Sequence, residues 1–293
     1  MGGISSERSI SIKTGEQVFR AIKDNFNVSK VVVDKDLKKL IDQLDNENPD
    51  FVFNALHGKF GEDGQIQSIL NSLKIPYTHS GVLSSSIAMN KFLAKILFKS
   101  CNINCPEGFL VNAKTIKDLK IPFPFILKPN DGGSSIDIFI IKNKNDNDKI
   151  KSFFKKHKLA LAEEYIPGRE ITVGVFENKV CGITEIVCNE TFYDFNKKYL
   201  EVAKHTLNPN IPIRIRKKME MDSLNAHRII GCNFLSRVDF KYNEKKKKAY
   251  ILEVNTQPGL TKNSLLPEML QKKEISFKKM CKLIIKNASC ELL

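Results

Sequence analysis

The chain has 293 residues, more than a single small core needs and enough for two or three lobes. Its 42% apolar and 27% charged residues are the balance of a soluble globular protein. No apolar run reaches the ~20 residues that span a bilayer, which argues against a membrane role. The net charge of +14 is carried mostly by Lys runs such as NEKKKK and KKHK. No aromatic residues interleave with those runs and there is no Trp, so nucleic-acid binding is not the expected role. A basic protein that handles anions such as nucleotides fits the charge as well.

The opening residues, MGGISSERSIS, lack the apolar stretch of a signal peptide. They match the M-G-x-x-x-S myristoylation pattern at Gly2 and Ser6, but these glycines read better as a loop. Seven cysteines show no CxxC pair and no zinc spacing, and an odd count argues against a disulfide framework. Reduced thiols in a cytoplasm are the simplest account.

Residues 1–84 alternate helix-like and strand-like segments. GEQVFRAIKDNF reads as an amphipathic helix, VSKVVVD as a strand, LKKLIDQL as a helix and PDFVFNAL as a strand. QIQSILNSL is helical again, and IPYTH is short and extended. This βα alternation predicts a parallel sheet with helices on both faces. Such a domain opens with a strand that feeds its first glycine loop, yet the glycines here sit at positions 2 and 3. Either the true start lies upstream or the lobe has lost that strand. Residues 85–171 begin with SSSIAMNKFLAKILFKS, which predicts one serine-capped helix. The strands FPFILKP and DIFIIK follow around a glycine-serine loop, then a helix in KIKSFFKKH and the strands LALAEEYI and REITVGVFE. Residues 172–293 carry more strands, a polar loop (NETFYDFNKKYLEVAKH), a helix around DSLNAHRIIG, a hairpin and a closing helix in SFKKMCKLIIKNAS.

The hairpin is the most informative stretch. SRVDFKY and AYILEVN offer Asp239, Glu253 and Asn255 on two strands around a basic turn. Alternate residues of a strand face one way, so a D and an E-x-N can meet on one side. Magnesium takes oxygen ligands and shares them with nucleotide phosphates. A surface hairpin with ordinary acids is the other reading. Four more segments carry chemistry, each with a plain alternative. HGKFGEDG puts His57, Gly58, Gly61 and Gly64 in a loop after a strand, where open α/β sheets bind ligands; the histidine could equally be structural. Lys128 precedes a Gly-Gly-Ser-Ser turn that is neither a Walker A loop nor a Rossmann fingerprint; it folds over phosphates or simply turns a hairpin. Glu163, Glu164 and Glu170 suit ribose hydroxyls, or are exposed acids on an ordinary strand pair. The stretch with Tyr193, Lys198 and Tyr199 closes over a site and excludes water, or is a surface loop.

In order, these segments resemble the D-alanine–D-alanine ligase family of ATP-grasp enzymes across nearly the whole chain. GGISSERSISIKTG is similar to the family's first glycine loop. HGKFGEDGQIQ, IPYTHSGVLSSSIAMNKFLAK, LKPNDGGSS, EEYIPGREITV, YDFNKKY, RVDF and LEVNTQPGLTKNSLLP follow in family order. The resemblance implies an α/β fold, α+β in the central and C-terminal lobes: an ATP-grasp fold after a parallel-sheet N-terminal domain whose first strand is missing. The expected lobes are 1–84 for substrate, 85–171 as the central ATP-grasp lobe and 172–293 as the C-terminal lobe with the metal and substrate site.

The implied reaction has two steps. One D-alanine carboxylate attacks the γ-phosphate of ATP to give an acyl phosphate, and the amine of a second D-alanine then displaces phosphate. By the resemblance, Glu7 holds the first ammonium and His57 lies near that carboxylate. Lys91 and Lys128 contact ATP phosphates, and Lys198 approaches the γ-phosphate. Glu163 and Glu170 take the adenine and ribose end, helped by backbone at Glu164 and Ile166. Asp239, Glu253 and Asn255 ligate two Mg2+ or Mn2+ ions. Arg237 and the N–H of Gly259 stabilise the oxyanion, and Ser264 and Leu265 hold the second D-alanine's carboxylate. Ser134, Tyr199 and Glu7 form a trio that orders both sites. A cytoplasmic homodimer with no nucleic-acid or membrane partner, serving cell-wall peptidoglycan, is the implied setting.

The chain departs from the family pattern at Gly132, which stands in place of an acid, although Asp131 is adjacent. It departs again at Asp137 in place of a small residue, at Asn90 in place of Asp, and at Gln257 and Asn263. Two other outcomes stay open within the resemblance: a ligase for D-lactate or D-serine, against which Tyr199 speaks, and a catalytically impaired nucleotide-binding relative.

Overall fold

The computed structural model describes residues 1–133, 136–187 and 204–291. The N-terminal part carries helices α1 (Arg8–Ile22), α2 (Leu37–Glu47) and α3 (Gln65–Ser72). Asp36 caps α2 by accepting from the Lys39 N–H, and Asn48 ends it in the left-handed conformation. The apolar sides of α2 and α3 meet Val33, Leu56, Phe60 and Tyr77 in a small core.

The strands expected here shrink to single parallel bridges, Gly2 with Val33 and Val52 with Tyr77. The opening strand is not wholly absent. The Met1 ammonium donates to Val31 O at 3.0 Å, the Val33 N–H to Met1 O at 2.8 Å and the Gly3 N–H to Val33 O at 2.9 Å. Met1 and Gly3 therefore flank a single parallel bridge, Gly2 with Val33, before the chain turns into the glycine loop. A cavity of about 300 Å³ has Met1, Val31, Phe51 and Phe53 among its lining residues.

The predicted helix after residue 83 is two helices, α4 (Val82–Met89) and α5 (Lys91–Ser100). Asn90 breaks it because its backbone is extended, with ψ 93°, and its side chain caps α5 through the Leu93 N–H. Asn130 reinforces the break by donating to Asn90 Oδ1 at 2.9 Å and accepting from the Phe92 N–H at 2.9 Å. The turn re-aims the start of α5 toward the central lobe.

That lobe is an antiparallel sheet in the order β1 (Gly108–Val111), β4 (Ala160–Glu164), β2 (Phe125–Lys128), β3 (Phe139–Ile141). Helix α6 (Asn147–Lys156) covers it through Phe153. The second sheet runs β7 (Lys204–Leu207), β6 (Lys179–Val187), β5 (Arg169–Phe176), β8 (Leu235–Asn243), β9 (Lys248–Asn255), all antiparallel. The turn between β8 and β9 holds the basic residues, as the sequence implies.

One face of this sheet packs on α5 and α7 (Ile213–Ile230) through Phe98, Met219, Ile171, Val173, Val238 and Phe240. The opposite side receives α8 (Leu265–Gln271) and α9 (Phe277–Lys286). Val18 and Ile22 of α1 join the α8–α9 core, so the N-terminal lobe is welded to the end of the chain. Gly168, at φ 134°, makes the turn into β5 where a Cβ would collide with the Tyr242 carbonyl. Among the described residues, no helix is long and apolar enough to cross a membrane.

Phe98 is fully buried at the junction of α5 with the large sheet. Phe98→Ala is expected to destabilise the protein by about 3–5 kcal/mol, the usual loss for an emptied aromatic site. Urea unfolding followed by circular dichroism measures it, and a midpoint equal to wild type would contradict this packing.

Candidate active site

The hairpin of β8 and β9 assembles its polar set by register. Asp239 lies opposite Glu253 and Arg237 opposite Asn255. Alternation sends their neighbours Val238, Phe240 and Val254 into the core on the other face. A bulge between Asp239 and Phe240 leaves Leu252 unmatched, which restores Ile251 to the core beyond the acids.

Asp239 is heavily engaged. Its Oδ1 accepts from Thr172 Oγ1 at 2.6 Å and Arg237 Nε at 2.9 Å, and its Oδ2 accepts from Arg237 Nη2 at 2.7 Å and Asn255 Nδ2 at 3.0 Å. Burial alone would lower the Arg237 pKa, but the adjoining Asp239 carboxylate more than reverses this and raises it. Two carboxylates and an amide on adjacent strands fit a hard divalent cation that takes further oxygens from phosphate. Among the described residues, no cluster of three or more His, Cys, Asp or Glu side chains is arranged for a metal.

Two lysine–carboxylate groups face the hairpin. Lys91, first residue of α5, lies 3.0 Å from Glu253 Oε2 and donates to Gly132 O at 2.5 Å. It therefore bridges α5, the glycine loop and β9. Burial pushes the Glu253 pKa up, but Lys91, Lys128 and Arg237 together outweigh it and the net shift is downward. Four residues on, one helical turn away, Lys95 lies 2.8 Å from Glu163 Oε2 and donates to Pro106 O at 3.0 Å. Lys128, at the end of β2, bonds the other oxygen, Glu163 Oε1. All three side chains are less than a tenth exposed.

Burial would raise the Glu163 pKa, yet Lys128 and Lys95 hold it down at about 2. Desolvation pulls Lys128 below its usual range in spite of that carboxylate. Farther along, the Glu164 N–H is engaged by Glu107 O at 2.8 Å, Ile166 is buried, and Glu170 lies 3.4 Å from Lys241 Nζ.

The N-terminal lobe contributes Glu7 and His57. Gly58, at φ 70°, lets Glu7 come close, since a Cβ there would lie 2.6 Å from Glu7 Oε2. A Cβ on Gly133 of the central lobe would lie 3.4 Å from the same oxygen, so Glu7 spans the gap between the two lobes. The His57 ring is buried and fixed on both sides, by Thr14 Oγ1 at 3.0 Å and Glu62 Oε1 at 3.1 Å. The last loop is held by Ser264 Oγ, which accepts from the Thr261 N–H at 3.0 Å and sits beside Gly259. Leu265 opens α8. Gln257 clasps this loop to the N-terminal lobe: Asn54 donates to its Oε1 at 2.8 Å, and its Nε2 donates to Leu56 O.

Thus Lys91 meets Glu253, Lys128 meets Glu163, Arg237 meets Asp239 and Asn255, Glu7 approaches Gly58 and Gly133, and Gly259 approaches Ser264. His57 makes its own contacts with Thr14 and Glu62. Ser134, Lys198 and Tyr199 lie outside the described residues. Sequence reasoning missed Lys95, Asn130, Thr172 and Lys241, and noted Gln257 only as a departure from the family pattern. For Lys95 a signal existed, its spacing of four from Lys91 on one helix. For the others the partner lies at least 38 residues away in the chain.

The Glu163 trio makes stability depend on pH. Its folded pKa of about 2 lies below the ordinary 4.5, so its contribution is complete above pH 4.5 and is lost as pH falls toward 2. Glu163→Gln leaves two buried ammonium groups without their anion and is expected to cost about 3–5 kcal/mol near neutrality. The gap to wild type should narrow on acidification across that window. Chemical denaturation at several pH values reads it, and a gap that holds constant would deny the carboxylate this role.

Residues 36–80 match the D-ala D-ala ligase N-terminus family and residues 108–286 the D-ala D-ala ligase C-terminus family. The chain is 39% identical to the D-alanine–D-alanine ligase of Acidiphilium cryptum over 297 aligned positions, covering 100% of this chain and 98% of that protein. It is 43% identical to that of Pelagibacter ubique, covering 98% and 96%. The fold is similar to the crystal structure of the Bacillus anthracis enzyme, with a TM-score of 0.86, 32% identity, and 98% and 95% of the two chains covered. A complex of the Bacillus anthracis enzyme with ATP gives a TM-score of 0.84 at 29% identity, covering 98% and 94%. With the ATP-grasp architecture and both family segments present over its length, the chain belongs to the D-alanine–D-alanine ligase family of ATP-dependent, peptide-bond-forming ligases.

Proposed function

We propose that this protein joins two D-alanines at the expense of ATP, through a D-alanyl phosphate, releasing ADP and phosphate and supplying the dipeptide for peptidoglycan. The observation that carries the reading is the facing of Asp239, Glu253, Asn255 and Arg237 by Lys91 and Lys128, beside the Glu7 loop. Such a cleft is cationic toward phosphate and carries carboxylates for metal and ammonium.

In this reading Glu7 receives the first D-alanine's ammonium, and His57, its ring immobilised by Thr14 and Glu62, lies near the carboxylate. Lys91 and Lys128 turn to the nucleotide's phosphates, joined by Lys198. Both lysines are paired with carboxylates in this structure, so nucleotide binding exchanges Glu253 and Glu163 for phosphate oxygens. Lys95 remains on Glu163 during that exchange and keeps the buried carboxylate neutralised. Glu163 then serves the adenine and Glu170 the ribose. The Glu164 N–H already has a backbone partner, which leaves the Ile166 N–H for the base.

Asp239, Glu253 and Asn255 would hold two Mg2+ or Mn2+ ions, which when bound screen the phosphate charge from the attacking carboxylate. Arg237 and the Gly259 N–H face the oxyanion, Ser264 and Leu265 hold the second carboxylate, and Ser134, Tyr199 and Glu7 order the two substrates. In this reading the lobes are residues 1–84, 85–171 and 172–293, with α4 running through the first boundary and β5 through the second. We place the enzyme in the cytoplasm as a homodimer without nucleic-acid or membrane partners.

The test is phosphate release with ATP, magnesium and D-alanine, with identification of the dipeptide. ATP turnover that ignores D-alanine would refute the reading. Glu253→Gln is expected to abolish magnesium-dependent release, and wild-type turnover in that variant would remove the metal assignment. Arg237→Ala is expected to lower kcat by roughly two to three orders of magnitude, as for a lost oxyanion donor. An unchanged kcat would reject that role.

A further inference from the structure

Lys241 has no part in the reaction as described so far, yet it stands on the same sheet face as the residues that do. On β8 it follows Asp239 by two positions and Arg237 by four, so strand alternation sends all three side chains the same way. The intervening Phe240 and the next residue, Tyr242, enter the core on the other face.

Across the sheet Lys241 is directly opposite Glu170 of β5 on one side and Tyr250 of β9 on the other. The bulge at Leu252 is what brings Tyr250, rather than Ile251, opposite it. Lys241 is only 8% exposed, and its ammonium lies 3.4 Å from Glu170 Oε2. Lysine is rarely buried this deeply without a charged partner, and an apolar side chain would fill a purely structural site at less desolvation cost. A buried cation beside a carboxylate, in line with Arg237 and Asp239, suits a polar ligand lying along this face.

We propose that Lys241 is a specificity-determining residue of the nucleotide site, which together with Glu170 recognises the ribose hydroxyls and selects a ribonucleotide over its 2′-deoxy analogue. The inference rests on the proposed function, in which Glu170 meets the ribose. A hydroxyl both donates and accepts, whereas a carboxylate only accepts and an ammonium only donates. The pair therefore answers both halves of a hydroxyl's hydrogen-bonding capacity. When the hydroxyl is missing, the two charges lose a partner that water cannot fully replace in a buried position, and the analogue is rejected.

The experiment compares kcat/KM for ATP and 2′-deoxyATP in D-alanine-dependent phosphate release by the full chain, as wild type, Lys241→Met and Lys241→Arg. Wild type is expected to prefer ATP by roughly tenfold or more, the discrimination of a site that hydrogen-bonds a substrate hydroxyl. Lys241→Met should bring the ratio close to one, mostly through KM for ATP and with kcat little changed, and Lys241→Arg should keep part of the preference. A wild type without preference, or a Met variant with the wild-type ratio, overturns the proposal. Should the Met variant fail to fold, Lys241→Gln is read instead by equilibrium binding of the two nucleotides, with the same two outcomes. Absence of D-alanine-dependent turnover in wild type would strike the ligase reading itself. Normal turnover with an unaltered ratio strikes only Lys241.

Discussion

A single buried carboxylate shared by two lysines organises the centre of this molecule. Glu163 on β4 binds Lys128 of β2 through one oxygen and Lys95 of α5 through the other. One turn up the same helix, Lys91 binds Glu253 of β9 and the Gly132 carbonyl. Helix α5 thereby ties the central sheet to the large sheet with ion pairs on one side, while Phe98 ties it with apolar packing on the other. Buried charges are costly unless matched, and each lysine here meets a carboxylate. The same groups are then available for exchange when an anion enters, which is the physical basis of the proposed nucleotide site.

The N-terminal lobe depends on its neighbours. Its parallel pairing consists of isolated bridges, and its own core is small. Among the attachments that position it are α1 against α9, the Gln257 clasp on Asn54 and Leu56, and an antiparallel bridge from Tyr77 to Ser289 near the chain's end. Glu7 precedes α1 and His57 follows Leu56, so the residues proposed to hold the first substrate are aimed by contacts with the C-terminal lobe. The glycine loop is held by the backbone bonds of Met1 and Gly3 with Val33.

The departures at Asn90 and Gln257 acquire structural meaning. Asn90 interrupts what looked like one helix, because its side chain caps α5 and is clasped by Asn130 from the loop after β2. Gln257 donates and accepts at the lobe junction with its amide, two tasks that a single apolar residue could not perform. Asp137, in the left-handed conformation, binds Lys156 at 3.0 Å and His157 at 2.8 Å, fastening the end of the glycine-serine turn to the end of α6.

The sequence alone determined what depends on short-range order. The period of apolar residues marked most helices and strands, the basic turn between AYILEVN and SRVDFKY marked the hairpin, and alternation put Asp239 beside Arg237 and Glu253 beside Asn255 on common faces. The order of motifs pointed to the family. Tertiary structure decided the rest. It split the helix at Asn90, reduced the N-terminal sheet to bridges, placed Lys95 on Glu163, turned Tyr250 and Lys241 to one face through a bulge, and joined Gln257 to Asn54 across 203 residues. Register, bulges and ion-pair partners depend on which surfaces meet, and a linear pattern records the preference of each residue for burial or exposure but not the identity of the neighbour it will find.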